Sequence, residues 1–116
     1  MKTILITGIT GSLGRILTNQ LVLSGEYNII GIYNSEQKYA HFKRTNKFNN
    51  IKCYKINISD SRFSEELDHI FRTSEIDYVI HSAAMKHVDI CEENMKLAIN
   101  TNVIASETLV KKCVEY

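Results

Sequence analysis

The hydrophobic pattern alternates between short β-branched runs and longer stretches of helical period, which indicates βαβ units and a parallel sheet. Four apolar runs predict strands, at residues 3–7, 27–33, 51–58 and 76–81. The first reads Thr-Ile-Leu-Ile-Thr, a sequence typical of a strand buried on both faces. Right-handed crossovers and the usual winding predict the sheet order 3-2-1-4, which is a Rossmann-type α/β fold with flanking helices.

Helical periodicity predicts four helices between and after these strands. The first ends at Ser24-Gly25, and its predicted buried stripe is Leu13, Ile16, Leu17, Leu21 and Val22. Ser35 is a candidate N-cap of a second helix that runs to about residue 43, before a loop at 46–50. Ser61, or alternatively Asp60, caps a third helix, whose predicted stripe is Phe63, Leu67, Ile70 and Phe71. A long helix follows from about residue 92 to 116.

The fourth strand of this sheet has no predicted neighbour on its outer side. A doubly wound sheet continues with a fifth strand there, and an apolar edge strand is otherwise an aggregation hazard. We therefore expect residues 1–116 to form one Rossmann domain that is the N-terminal part of a longer protein, or a partner to cover the edge.

Composition narrows the possible partners and location. The 116 residues carry 14 Lys and Arg against 13 Asp and Glu, for a net charge of +1, which gives no case for binding nucleic acid or an anionic membrane. No apolar run approaches the roughly 18 residues of a spanning helix, so we expect a soluble, cytoplasmic protein. Cys53, Cys91 and Cys113 are far apart and form no C-x-x-C pair, so we expect semi-buried thiols and neither a disulfide framework nor a metal site.

A glycine-rich run directly follows the first strand and opens the first helix. Residues 8–14 read G-x-x-G-x-x-G, with glycines at Gly8, Gly11 and Gly14. A tight turn, a close backbone approach and a close helix–strand contact each need glycine at such positions. The free N–H groups of the helix start suit a pyrophosphate, so the run predicts a dinucleotide site. The alternative is the turn of an α/β domain that binds nothing.

The segment after the second strand bears on the choice between NAD and NADP. About 20 residues beyond Gly14 lies Asn34, where an acidic residue would bind the ribose 2′-hydroxyl of NAD and a basic one would favour NADP. Asn34, Ser35 and Lys38 are candidates to contact a 2′-phosphate, and Glu36 serves a 2′-hydroxyl only in a displaced turn. The alternative for Lys38 is a solvated helix residue.

Two further strand ends carry candidate cofactor contacts. Asn57-Ile58, at the end of the third strand, is placed to meet the adenine. Ser82, Ala83 and Ala84 follow the fourth strand, and small residues there let the backbone approach the ribose and nicotinamide side. The alternative is a packing requirement of the strand–loop junction.

Three segments of the chain resemble one family closely. Residues 81–89, 91–94 and 98–103 look like those of the extended short-chain dehydrogenases of bacterial polysaccharide biosynthesis, above all the UDP-N-acetylglucosamine 4,6-dehydratases (inverting). Residues 33–38 also match the Glu and Lys of the family's Ser-Arg-Asp-Glu-x-Lys segment. The resemblance spans essentially the whole chain.

The resemblance implies an NADP(H) or NAD(H) site with contacts from Thr10, Gly11, Ser12, Leu13, Ser35, Lys38, Asn57, Ile58 and Ser82. It also implies that Lys86 faces the nucleotide-sugar; a solvated loop lysine is the alternative. His81 and His87 are expected to be structural. The chain departs from the family at Asn34, where the family has an Arg that grips the 2′-phosphate, and at Asn57-Ile58, where it has Asp-Val. The chain departs again at Ala105-Ser106, where the family has Gly-Thr.

The family's catalytic residues, an Asp-Lys pair and a Tyr-x-x-x-Lys, lie beyond residue 116. The resemblance implies a full-length enzyme that oxidises UDP-N-acetylglucosamine at C4, removes water across C5 and C6 and reduces C6, whereas these 116 residues alone are expected to show no turnover. The alternatives are a stand-alone regulatory module that binds NAD(P) without catalysis, and part of a UDP-hexose 4-epimerase. In relatives the long last helix packs in a subunit interface, which suggests a homo-oligomer.

Overall fold

The computed structural model describes residues 1–46, 50–83 and 92–116. The elements are β1 (Lys2–Thr7), α1 (Ser12–Leu23), β2 (Tyr27–Tyr33), α2 (Glu36–Thr45), β3 (Ile51–Lys55), α3 (Phe63–Thr73), β4 (Tyr78–His81), α4 (Met95–Ile99), a π-helical turn (Asn100–Ile104) and α5 (Ala105–Glu115). They form two compact units, residues 1–56 with 75–82 and residues 57–74 with 83–116.

The first unit contains a four-stranded sheet in the order β3-β2-β1-β4, with every pair parallel, so the predicted strand order is confirmed. Its core is mainly isoleucine, including Ile4, Ile6 and Ile29, with Phe42 from α2. Among the described strands β4 pairs with β1 alone, and Tyr78 at its start is half exposed, which agrees with the predicted edge.

The buried face of α1 differs from the predicted stripe. Val22 is buried as predicted and Leu21 packs against the core, but the other buried residues are Gly14 and Thr18, while Leu13 and Ile16 are more than half exposed. Close packing decides the face, because small side chains let the helix approach its neighbours. The Thr18 hydroxyl donates a hydrogen bond of 2.7 Å to the Gly14 carbonyl, so its polar atom is satisfied within the helix.

The ends of α1 and α2 follow the predicted chemistry. Gly25 has φ +72°, and its N–H donates to the Val22 carbonyl at 3.0 Å, which stops α1 as expected. The Ser35 Oγ accepts from the Lys38 N–H at 3.2 Å, which confirms Ser35 as the N-cap of α2. That helix extends to Thr45, two residues past the prediction.

The third strand ends at Lys55 rather than at residue 58. The Ile56 N–H still donates to the Tyr33 carbonyl at 2.9 Å, and Ile56 is buried. The Asn57 side chain then accepts from the Ser59 N–H at 3.1 Å and from the Ser59 hydroxyl at 2.7 Å. Such a local turn competes with continued strand pairing, which explains the early end.

In the second unit α3 begins at Phe63, so the prediction of Ser61 as its N-cap is wrong. Asp60 organises this turn instead, because its carboxylate accepts from the Arg62 N–H at 3.0 Å and its carbonyl from the Phe63 N–H at 3.1 Å. Three residues of the predicted stripe, Phe63, Leu67 and Ile70, are buried, and the fourth, Phe71, is half-buried.

The C-terminal helix packs on α3 within the second unit. Lys112 Nζ lies 2.7 Å from the Asp68 carboxylate, the Tyr116 hydroxyl donates to the same carboxylate at 3.1 Å, and the Phe71 and Tyr116 rings stack with centroids 5.3 Å apart. The hydrogen bonds from Lys112 and Tyr116 lower the pKa of Asp68. In the ranges that the structure describes, no helix has the length and apolar character needed to cross a membrane.

Candidate functional site

The run at residues 8–14 forms a tight turn between β1 and α1. Gly8 adopts φ +66°, a conformation that favours glycine, and its carbonyl accepts from the Gly11 N–H at 3.0 Å. Ile9 is fully buried, and its N–H donates to the Ile32 carbonyl at 3.3 Å. The turn is therefore anchored to β2 as well as to β1.

Gly14 brings α1 into close contact with this turn. A Cβ on Gly14 would lie 2.4 Å from the Gly8 carbonyl oxygen and 2.8 Å from both the Ile9 Cα and the Ile9 carbonyl oxygen. Because these atoms all belong to the backbone, side-chain rotation cannot relieve the overlap. This confirms the prediction that the close contact of the helix requires a glycine, here Gly14.

The first turn of α1 presents backbone N–H groups at the carboxyl end of β1. Helices leave these groups without intrahelical acceptors, and Gly11 at the N-cap has no side chain to cap them. The first turn contains no acidic residue. Free backbone donors and a positive dipole end fit a bound pyrophosphate.

The connection from β2 to α2 begins beside this turn. Asn34 and Lys38 are exposed, while the Ser35 hydroxyl is already the acceptor that caps α2. The Tyr33 and Tyr39 rings stack with centroids 3.9 Å apart, which holds the first turn of α2 against the end of β2. Glu36 pairs with Lys55 at 3.2 Å.

At the end of β4, Ser82 is tied to β1. Its N–H donates to the Thr7 hydroxyl at 3.1 Å, and its own hydroxyl donates to the Thr7 carbonyl at 2.6 Å. The Thr7 hydroxyl also lies 2.6 Å from His81 Nδ1. Partial burial lowers the pKa of His81, which favours the neutral ring. These bonds agree with the structural role expected of His81.

The remaining predicted contacts belong to the second unit or fall outside the described residues. Asn57 is exposed and Ile58 half-buried in the second unit, and the Asn57 side-chain oxygen is engaged in the turn to Ser59. Ala83 is half-buried in the same unit. The predictions for Ala84, Lys86, His87 and Cys91 lie outside the described residues.

The other two cysteines carry no sign of reactivity. Cys53 is half-buried, and burial raises the pKa of its thiol to about 11. Cys113 is exposed rather than semi-buried as expected. Within the described ranges His, Cys, Asp and Glu side chains form no cluster that could hold a metal ion.

Sequence reasoning missed three contributors to this region, namely Ile9, Gly31 and Lys55. A Cβ on Gly31 would lie 2.4 Å from the Ile9 Cδ1, so this glycine makes room for the buried side chain of the turn. An isolated glycine in a buried strand is a signal for such a close approach. The Lys55–Glu36 pair depends on strand register and has no such signal.

Comparison with known proteins places this site in a family. The family model described as "Polysaccharide biosynthesis protein" matches residues 4–116. Among curated relatives, UDP-N-acetylglucosamine 4,6-dehydratase (inverting) of Campylobacter jejuni is 40% identical over 114 residues, which is 98% of this chain and 33% of the relative. UDP-glucose 4-epimerase of Rickettsia massiliae is 36% identical over 118 residues, 97% of this chain and 33% of the relative.

Solved structures share the fold. Pen from Bacillus thuringiensis superposes with a TM-score of 0.78 at 31% identity, over 95% of this chain and 33% of that protein. The UDP-Glc/GlcNAc 4-epimerase of Campylobacter jejuni gives 0.79 at 21% identity, over 99% of this chain and 34% of that protein. The chain thus spans about a third of the length of the relatives that it matches.

Proposed function

The chain belongs to the polysaccharide biosynthesis protein family, and on that premise we propose that it binds NAD(P) and supplies the cofactor-binding part of a nucleotide-sugar dehydratase. The observation that carries the proposal is the turn at residues 8–14, which opens α1 at the carboxyl end of a central parallel strand. Ligands of open α/β sheets bind at this end of the strands. The Campylobacter relative, named a UDP-N-acetylglucosamine 4,6-dehydratase, supports the same enzyme class.

In this proposal each strand end holds one part of the cofactor. The N–H groups of Ser12, Leu13 and Gly14 donate to the pyrophosphate, with Gly8, Thr10 and Gly11 shaping the turn beneath it. The ribose meets the segment after β2, and the adenine and nicotinamide sides meet the segments after β3 and β4. The residues assigned to these three segments are Asn34, Ser35 and Lys38; Asn57 and Ile58; and Ser82, Ala83 and Ala84.

The bound cofactor supplies the hydride acceptor and donor of the reaction, while the chain fixes its position and polar surroundings. The proposed substrate is UDP-N-acetylglucosamine, which Lys86 would face, in a cytoplasmic and homo-oligomeric enzyme. Proton transfer requires acid and base groups within hydrogen-bond reach of the sugar. Since the chain spans about a third of its relatives, we expect residues 1–116 alone to bind cofactor without turnover.

A UDP-glucose 4-epimerase is the second candidate. It is favoured by the 36% identity to the Rickettsia enzyme, which is near the value for the dehydratase. Both candidates use the same cofactor site, so the first test addresses that site rather than the sugar.

A charge introduced at Ser12 tests the pyrophosphate site. Ser12 is exposed in the first turn of α1. The helix dipole stabilises a carboxylate at this position, so the substitution should preserve the fold. The same carboxylate would repel a pyrophosphate, so Ser12→Glu should weaken NAD⁺ and NADP⁺ binding in calorimetry by about tenfold or more. Ser12→Gln has nearly the same size without the charge and should bind within about threefold of the unchanged protein.

Two outcomes contradict the proposal. One is a folded protein that binds neither NAD nor NADP, in the oxidised or the reduced form, at millimolar concentration. The other is equal binding by the Glu and Gln variants, which would place the dinucleotide away from the start of α1. Circular dichroism of each variant establishes that its helices have formed.

A further inference from the structure

An ion pair joins the start of α2 to the end of β3. Lys55 Nζ lies 3.2 Å from the Glu36 carboxylate, and both side chains are more than half exposed. Lys55 is the last residue of β3 and is in register with Tyr33, the last residue of β2. A cation on a long, exposed side chain therefore stands beside the end of β2, from which the β2–α2 connection departs.

This connection is where dinucleotide sites select the ribose 2′ group. An acidic residue there binds the free 2′-hydroxyl, whereas a neighbouring cation accommodates a 2′-phosphate. The residue at the expected distance, Asn34, is uncharged and exposed. The carboxylate next in line, Glu36, already shares its charge with Lys55. The pair of Glu36 and Lys55 therefore offers charges that could distinguish the two ribose groups, which Asn34 does not.

The backbone of the connection is held in place, so selection falls to side chains. The stacked rings of Tyr33 and Tyr39 fix α2 against the end of β2, and the Ser35 cap fixes its first turn. Glu36 and Lys55 are by contrast exposed, and an exposed ion pair contributes little to stability and is easily exchanged.

Building on the proposed function, we infer that Lys55 joins Lys38 in admitting the 2′-phosphate of NADP and that Glu36 restrains Lys55. A phosphate monoester carries more charge than one carboxylate and has three acceptor oxygens, so it competes well for the Lys55 ammonium. With NAD bound, Lys55 stays on Glu36; with NADP bound, it turns to the phosphate. The site thus accepts both cofactors, and these two side chains set the ratio.

The test is calorimetric titration of the 116-residue protein with NAD⁺ and with NADP⁺ at fixed, low ionic strength. Lys55→Met should weaken NADP⁺ binding about five- to tenfold and leave NAD⁺ binding within about twofold, because only the phosphate loses a partner. Glu36→Gln should tighten NADP⁺ binding about threefold, since Lys55 is released from its competitor. The effect of each substitution on NADP⁺ binding should shrink as salt is added.

Lys52 provides a matched control on the same strand. It is exposed, and its ammonium lies 5.3 Å from the centroid of the Tyr54 ring. Lys52→Met should leave both dissociation constants within about twofold, because it removes the same charge near the other end of β3. Equal circular dichroism spectra check that each variant is folded.

The outcomes distinguish a failure of the proposed function from a failure of the role of Lys55. If the unchanged protein binds neither dinucleotide, the proposed function itself fails. If it binds both and Lys55→Met leaves their ratio unchanged, or Lys52→Met changes the ratio as much, the role of Lys55 is refuted and the cofactor site stands.

Discussion

Replacement of Gly14 by alanine tests whether the close contact between α1 and the glycine turn governs stability. The added Cβ would lie 2.4 Å from the Gly8 carbonyl oxygen, so about 1 Å of separation is needed before the contact becomes ordinary. The turn cannot retreat, because Ile9 is fully buried and hydrogen-bonded to Ile32. Helix α1 must move instead, which disturbs its buried positions at Thr18 and Val22.

The expected cost follows from two opposing effects. Overpacking costs about 1–3 kcal/mol, and backbone contacts place Gly14→Ala at the upper end of that range. The better helix propensity of alanine returns at most about 1 kcal/mol, so we expect a net loss of about 2 kcal/mol in the free energy of unfolding. Urea unfolding followed by circular dichroism at about 222 nm, where helices absorb, measures this loss. Cofactor affinity should fall with it.

Gly25→Ala is the control for this experiment. Gly25 has φ +72°, and apart from its chain neighbours no described residue has an atom within 4 Å of the point that a Cβ on Gly25 would occupy, so only backbone strain of about 1 kcal/mol opposes alanine there. A loss at Gly14 that is smaller than the loss at Gly25 would show that the helix moves freely, and the packing argument would be wrong.

Two further predictions concern packing and charge. Gly31→Ala should cost about 1–3 kcal/mol in urea unfolding, but about 1 kcal/mol less in an Ile9→Ala background, because the three atoms nearest to its Cβ all belong to the Ile9 side chain; additive losses would contradict this. Asp68→Asn should lower the melting temperature above about pH 5, where the depressed pKa of Asp68 lets its carboxylate stabilise the fold through Lys112. The difference from the unchanged protein should disappear as the pH falls through that depressed pKa, and a difference that persists at about pH 2 would assign it to packing.

Strand β2 shows which features of the fold are readable from sequence. Its observed bounds, Tyr27–Tyr33, equal the predicted ones. Both boundaries are set by local chemistry, since Gly25 enters the left-handed region before the strand and Ser35 caps a helix after it. Where neighbouring residues specify the backbone in this way, tertiary contacts need add little.

The buried face of α1 could not be read in this way. Leu13 and Ile16 satisfy helical periodicity and yet are exposed, while Gly14 and Thr18 are buried. Periodicity reports which residues share a face, but the face that packs depends on how closely the helix can approach. The predictions for residues 57–61 were wrong for another reason. Several residues that can cap a helix or form a turn compete there, and hydrogen-bond geometry selects among them.

In the candidate site, too, some features are predictable from local sequence and others are not. The glycine turn and the Ser35 cap follow from local sequence, so both are predictable. The pairing of Glu36 with Lys55 arises because β2 and β3 align Tyr33 with Lys55, a register that neither residue encodes. Charges that meet through strand register therefore escape motif-based reading, even where they bear on cofactor choice.

Ile9 explains why two glycines far apart in sequence are needed together. A Cβ on Gly14 would overlap the backbone of Ile9, and a Cβ on Gly31 would overlap its side chain. Ile9 therefore leaves no room for a side chain at either position. Its N–H also bonds the Ile32 carbonyl on β2. The turn is thereby locked to the strand that leads into Asn34. The amides proposed to hold the pyrophosphate and the segment proposed to meet the ribose thus keep a fixed separation, which a dinucleotide spanning both requires.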